Sequence, residues 1–148
     1  MDVKTVKELM SAVQEVRRIT ELLLPLPKGM SPRHILIIDV IYQLAAENSE
    51  VKISDVSTKL QVTKPSVTKL VKELEQLGAV TKETDAADKR VTHLQLTALG
   101  LKYYDTYVAK YHKWLAKQLK NISKSDVRTT AATIHSLRQT LEGKQPEL

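Results

Sequence analysis

A chain of 148 residues with 42% hydrophobic side chains can bury a core. Its 4% aromatic content, without phenylalanine, leaves that core to Leu, Ile, Val and Ala and favours helices packed on helices. The lack of cysteine excludes disulfides, thiolate chemistry and cysteine-type zinc sites, and the formal charge of +6 is compatible with a polyanionic partner.

The N-terminal MDVKTVKELM is not followed by an apolar run of signal length. The most apolar stretch, ILIIDVIYQLAA, is 12 residues long and contains Asp39, too short to span a bilayer. A cytoplasmic protein with no membrane partner is expected.

Val3, Val6, Leu9, Met10, Val13, Val16, Ile19 and Leu23 recur at three- and four-residue steps, predicting an amphipathic helix over about 3–24, stopped by LPLPKG. Ser31 as N-cap and Pro32 at the first helical position start a second helix to about Asn48. It is apolar nearly all round and is expected to be central, with Asp39 in a structural hydrogen bond or ion pair. Ile53, Val56 and Leu60 give a short third helix. After the tight connection QVT, a fourth helix begins behind Thr63 with the apolar face Val67, Leu70, Val71, Leu74 and Leu77, and Gly78 closes it.

Two alternating segments then flank the polar run DAADKR, predicting a hairpin over Ala79–Thr97 with Lys89 and Arg90 at its tip. Thr97 caps a long fifth helix with the stripe Leu101, Tyr104, Val108, Tyr111, Leu115, Leu119 and Ile122. A last helix covers about Ser125–Leu141. Two short helices followed by a hairpin make a winged helix-turn-helix, whose second helix enters the major groove. At 100° per residue, its polar side presents Pro65, Thr68, Lys69, Lys72 and Gln76, with Lys64 and Ser66 near its start. Lysines, hydroxyls and an amide on one stripe suit phosphates and base edges.

The wing residues Asp85, Asp88, Lys89, Arg90, Leu94, Leu96, Thr97 and Gly100, and the helix residues Ser66, Val67, Thr68, Leu70, Val71, Leu74, Leu77 and Gly78, resemble the MarR family of bacterial transcriptional regulators. The order of elements is similar over nearly the whole chain. The resemblance implies a mainly α fold with a small β-hairpin wing: a winged helix-turn-helix over about 31–97, and an intertwined dimerisation region from helices at about 3–24 and 100–142, in a single 1–148 domain. It implies a homodimer, most often a repressor, on a pseudo-palindromic double-stranded DNA operator. Thr63, Lys64, Ser66, Thr68, Lys69 and Lys72 would meet the major groove and its phosphates, and Lys89 and Arg90 the flanking groove. Thr63 would also cap its helix. Family wings often carry an arginine where Ala87 stands here, so the wing is expected to read sequence weakly; Arg90 is placed either on DNA or folded back on Asp85 or Asp88 as a brace.

The resemblance further implies a small-molecule effector, with Arg17, His34, Ile38 and Tyr104 as lining residues suited to an aromatic or lipophilic anion. No catalytic motif is found, no cofactor is expected and the protein is not read as an enzyme. Two alternatives stay open. One is a winged-helix module that binds protein, supported by the near balance of seven basic and six acidic residues over 54–97. The other is a metal-dependent regulator using His34 and His112, which lack the further ligands zinc needs.

Overall fold

The computed structural model describes residues 1–21, 24–48 and 50–145, with the side chains at 17, 20 and 21 left outside the description. The described residues gather into two compact units, 1–111 and 112–148. In the first, helix α1 (Val3–Glu21) starts behind Asp2, whose carboxylate accepts the Thr5 N–H at 2.9 Å and the Thr5 hydroxyl at 2.8 Å. Those bonds hold the Asp2 carboxyl below its ordinary range. The stripe Val6, Met10, Val13, Val16 and Ile19 is 38–58% exposed. Leu23, expected to extend it, lies outside the described residues.

Helix α2 (Pro32–Glu47) is the hub, packed against the next two helices, the second wing strand and the helix after the wing. Ile37, Ile38, Ile41 and Leu44 go inward while Leu36 and Tyr42 stay half-exposed, so α2 is central but not covered all round. Asp39 is half-buried and accepts the Gln43 side-chain amide at 2.8 Å, the structural role expected of it. Helix α3 (Ile53–Leu60) adds Val56, and α4 (Lys64–Gln76) adds Val67, Val71 and Leu74 to the same core, all fully buried. Each such side chain stabilises the fold by about 1.5–3 kcal/mol.

Between α3 and α4 the chain reverses at Gln61, a non-glycine residue at φ 53°, and the Ser57 hydroxyl donates to the Val62 carbonyl at 2.6 Å. At its other end α4 closes through Gly78 at φ 74°, with Gly78 N–H on the Glu75 carbonyl and Ala79 N–H on the Leu74 carbonyl, both at 2.9 Å.

Strands β1 (Val80–Thr84) and β2 (Thr92–Leu96) pair antiparallel, with Val80 opposite Leu96 and Thr84 opposite Thr92. The segment before α3 joins this sheet, because Lys52 bridges His93 and the Leu94 N–H donates to the Val51 carbonyl at 2.8 Å. Thr97 then caps α5 (Ala98–Tyr104): its hydroxyl accepts the Gly100 N–H at 3.1 Å and donates to the Gly78 carbonyl at 2.6 Å.

The expected uninterrupted fifth helix is instead divided. A π-helical segment, Asp105–Lys110, separates α5 from α6 (Tyr111–Gln118), and the helix has ended before Ile122. The Lys110–Asp105 ion pair at 2.6 Å joins residues five apart, the spacing of a π turn. In the second unit α7 (Lys124–Leu141) begins at Ser123, whose hydroxyl accepts the Asp126 N–H at 3.0 Å. Trp114, Leu119, Ile122, Val127, Ile134 and Leu141 of this unit are exposed.

Candidate nucleic-acid interface

With the core side of α4 turned onto α2 and α3, its other side faces outward, and Thr63, Lys64, Ser66, Thr68, Lys69 and Lys72 are all exposed as the 100° arithmetic requires. Among the described residues, Lys64, Lys69 and Lys72 have no carboxylate partner, whereas neighbouring Lys82 is paired with Glu75 at 2.7 Å. Three uncompensated cations on one helix face are available to an external anion.

Two hydroxyls behave differently from expectation. Thr63 occupies the N-cap of α4 but makes no side-chain cap bond. Pro65 follows in the first turn and has no N–H to offer, so one donor the cap would have satisfied is missing. The Thr68 hydroxyl donates to the Lys64 carbonyl at 2.9 Å, which leaves it only acceptor capacity toward a base.

In the wing, Asp85 organises the turn. Its Oδ1 accepts the N–H groups of Ala87 and Asp88, both at 2.8 Å, and its Oδ2 lies 3.0 Å from His93 Nε2. The His93 hydrogen bond first, then the two amides, pull the Asp85 carboxyl down to about 2. Arg90 folds onto Asp88, with Nε and Nη2 at 3.0 and 3.1 Å from its two oxygens, which lowers the Asp88 carboxyl and raises the guanidinium. Arg90 is therefore a brace for the turn. Its side chain is nevertheless 91% exposed, and a guanidinium has five N–H donors, so three remain for another acceptor. Lys89 is exposed with no ion-pair partner among the described residues.

Among the described residues, His34, Ile38 and Tyr104 do not share one open recess. His34 is 4% exposed with both ring nitrogens occupied: the Ser31 N–H and hydroxyl each lie 3.0 Å from Nδ1, and Nε2 is 2.8 Å from Glu73 Oε2. That network assigns the proton to Nε2 and makes His34 a tie between α2 and α4, not a ligand contact or a metal ligand. Ile38 is fully buried in the core and cannot line an open crevice. Tyr104 stacks on Tyr42 with ring centroids 3.6 Å apart; burial, with Tyr42 and Asp39 nearby, raises its hydroxyl above the ordinary value. The side chain of Arg17 lies outside the described residues. A recess of about 980 Å³ does exist along the wing side of α2, but it is lined by Tyr42, Glu50, Asp85, His93 and Leu101, not by His34, Ile38 or Tyr104. Among the described residues no group of three or more His, Asp or Glu side chains is arranged to hold a metal ion.

Sequence reading missed the His34–Glu73 tie and the placement of His93, whose buried Nδ1 makes no hydrogen bond and lies 3.5 Å from Glu50 Oε2. A histidine three residues after an N-cap serine was the available signal for the first; nothing local marks the second.

A MarR-family model matches residues 28–91, the stretch from the entry to α2 to the wing turn. The chain is 21% identical over 134 residues to the HTH-type transcriptional regulator YdgJ of Bacillus subtilis (strain 168), covering 90% of this chain and 79% of that protein. Its fold superposes on Streptococcus pneumoniae FabT in complex with DNA, at TM-score 0.65 and 25% identity over 95% of this chain and 98% of that one. It also superposes on the Streptomyces coelicolor PcaV transcriptional regulator in complex with its natural ligand, at TM-score 0.66 and 16% identity over 98% of both chains. At that lower identity the likeness concerns the fold alone. The family model over residues 28–91, the element order, the helix-turn-helix geometry and the wing together make the chain similar to the MarR family of winged helix-turn-helix transcriptional regulators.

Proposed function

We propose that the protein binds double-stranded DNA sequence-specifically as a cytoplasmic homodimer and represses transcription from a pseudo-palindromic operator. The observation that carries this reading is the outward face of α4, where Lys64, Lys69 and Lys72 lack ion-pair partners among the described residues, beside a wing tipped by Lys89 and Arg90. Thr63, Ser66 and Thr68 add hydroxyls to the same surface. In this reading residues 1–148 act as one regulator, with 31–97 on DNA and the helices within 3–24 and 100–142 joining two copies. Support for pairing comes from the exposed apolar stripe of α1 and the exposed Val127, Ile134 and Leu141 of α7, because soluble chains rarely leave such stripes in water. No described helix is long and apolar enough to cross a membrane.

Small-molecule control forms part of the proposal. An effector must favour one spacing of the two recognition helices over another, since equal affinity for both shifts nothing. The stacked Tyr42 and Tyr104 rings offer an aromatic face. The carboxylates of Glu50 and Asp85 disfavour an anion in the recess beside the wing.

The test is duplex binding by fluorescence anisotropy at low salt, first with random DNA and then with a sequence selected from a random pool. Wild type binds both, the selected one more tightly. Lys69→Ala weakens the selected complex by about 1–3 kcal/mol and relaxes preference at one base if Lys69 reads that base. Failure to bind random duplex at low salt would leave the protein-interaction reading, which the charge balance of residues 54–97 favours.

A further inference from the structure

Between the start of α3, the start of α4 and the wing turn lies a recess of about 520 Å³ whose polar walls include Lys52, Ser54, Lys64, Thr68, Asp88 and Arg90. Its cations come from three separate elements. Lys64 stands at the first position of α4, Arg90 on the wing, and Lys52 at the N-cap of α3. Lys52 belongs to no part of the surface that helical periodicity or the wing motif singles out.

The backbone of Lys52 is fixed on two sides. Its N–H donates to Asp55 Oδ2 at 2.9 Å, and the residue bridges His93 of β2. The ammonium therefore springs from a rigid junction between α3 and the wing sheet. Among the described residues neither Lys52 nor Lys64 has a carboxylate partner. The one acid in the wall, Asp88, already holds the Nε and Nη2 edge of Arg90. With three cations against one carboxylate, the recess carries a local charge of about +2, counting each group as fully ionised. Like charges drawn together without internal compensation raise each other's energy, and an anion between them removes that cost.

We propose that this recess seats one phosphate of the DNA backbone, held by Lys52 and Lys64 with the unbraced edge of Arg90, where the strand passes from the groove read by α4 to the groove beside the wing. The assignment rests on the DNA-binding reading above and adds Lys52 to it as a contact that fixes register without reading sequence. A tetrahedral anion with several acceptor oxygens can bond donors from three directions at once, which a carboxylate does less well. The shared chemistry is an anionic phosphate group, and the experiment separates a backbone phosphodiester from free inorganic phosphate.

The full-length protein is titrated onto a labelled operator duplex and onto a random duplex over a salt range from about 50 to about 200 mM. Each neutralised phosphate contributes about 0.9 to the slope of log affinity against log salt, so Lys52→Gln should flatten the slope by about two in a dimer with two seats. Across that fourfold range the variant then loses about tenfold less affinity than wild type. The loss of binding at fixed salt should be the same factor on both duplexes, and Lys52→Arg should restore the slope. Among the operator positions where a neutral methylphosphonate weakens wild type, one per half-site, the seat, should weaken Lys52→Gln markedly less. Circular dichroism melting checks that Lys52→Gln is folded; if it is not, Lys52→Met takes its place in the slope measurement and the methylphosphonate scan. Wild type binding with an unchanged slope in folded Lys52→Gln, or with no sensitive position, overturns the seat and leaves the DNA reading intact. Wild type binding no duplex overturns both. Calorimetric binding of inorganic phosphate that depends on Lys52 while the duplex slope does not would make the recess a free-phosphate site and overturn the backbone assignment.

Discussion

At the wing turn, one carboxylate does the holding. Asp85 accepts two amide N–H groups and lies 3.0 Å from the His93 imidazole, and these bonds are stronger when it is ionised. Because its carboxyl is pulled from the ordinary 3.8 to about 2, folding favours the anion. Its stabilising contribution is complete above the ordinary value and is lost as pH falls through about 2. Asp85→Asn should therefore lower the melting temperature at pH near 6, with the deficit shrinking as both proteins are taken toward pH 2. In His93→Ala the Asp85 carboxyl should titrate closer to 3.8, as carboxyl-carbon NMR would read, because His93 is the leading cause of the shift. Amide exchange at Ala87 and Asp88 should quicken in Asp85→Ala. Asp85 and Asp88 stand out in the sequence as family marks, yet the His93 partner of Asp85 emerges only once the turn brings residues eight apart into reach. The competing roles offered for Arg90 likewise needed coordinates: two bonds to Asp88 make it a brace with donors to spare.

Helix α4 is held at two points by different means. Its C-terminal end is closed by Gly78, and its middle is tied to the start of α2 through Glu73 and the buried His34. Replacing His34 with Ala should destabilise the protein by about 1–3 kcal/mol in urea unfolding, since it strips partners from the Ser31 N–H and Glu73. Gly100→Ala should cost a similar amount, about 1–3 kcal/mol, because an added Cβ would stand 2.1 Å from the Ala79 carbonyl oxygen and force α5 off the wing. The family motif contains this glycine, and close packing of α5 on the strand entry is the physical reason for it here. Elements announced by short-range signals were legible: Ser31–Pro32, Gly78, Thr97 and the alternating wing strands all mark boundaries within a few residues. The π segment was not, since widening one turn displaces the apolar stripe by a single residue, which three- and four-residue spacing absorbs. The missing Thr63 cap bond escaped notice for a related reason. N-cap preference concerns the residue type, whereas the bond depends on which amides follow it.

For the whole molecule, the apolar surfaces of α1 and of α7 decide how the protein should behave in solution. Sedimentation at micromolar concentration should give a dimer. Val13→Asp together with Ile134→Asp, each placing a charge on an exposed apolar stripe, should give a monomer whose operator affinity is about 100-fold lower or worse, because two linked half-site contacts become one. The helical class, the helix-turn-helix and the wing were readable in the chain. The surroundings of the proposed ligand-lining residues were not, because the resemblance points to the first, second and fifth helices without saying which side of α2 meets the core: Ile38 turned inward, and His34 was already engaged. The wing turn, finally, is fastened by Asp85 to its own amides before any partner arrives. A projection already in its docking shape needs no rearrangement after collision, so encounter should be limited by diffusion and charge, and releasing that clasp should slow capture of the duplex more than it hastens escape.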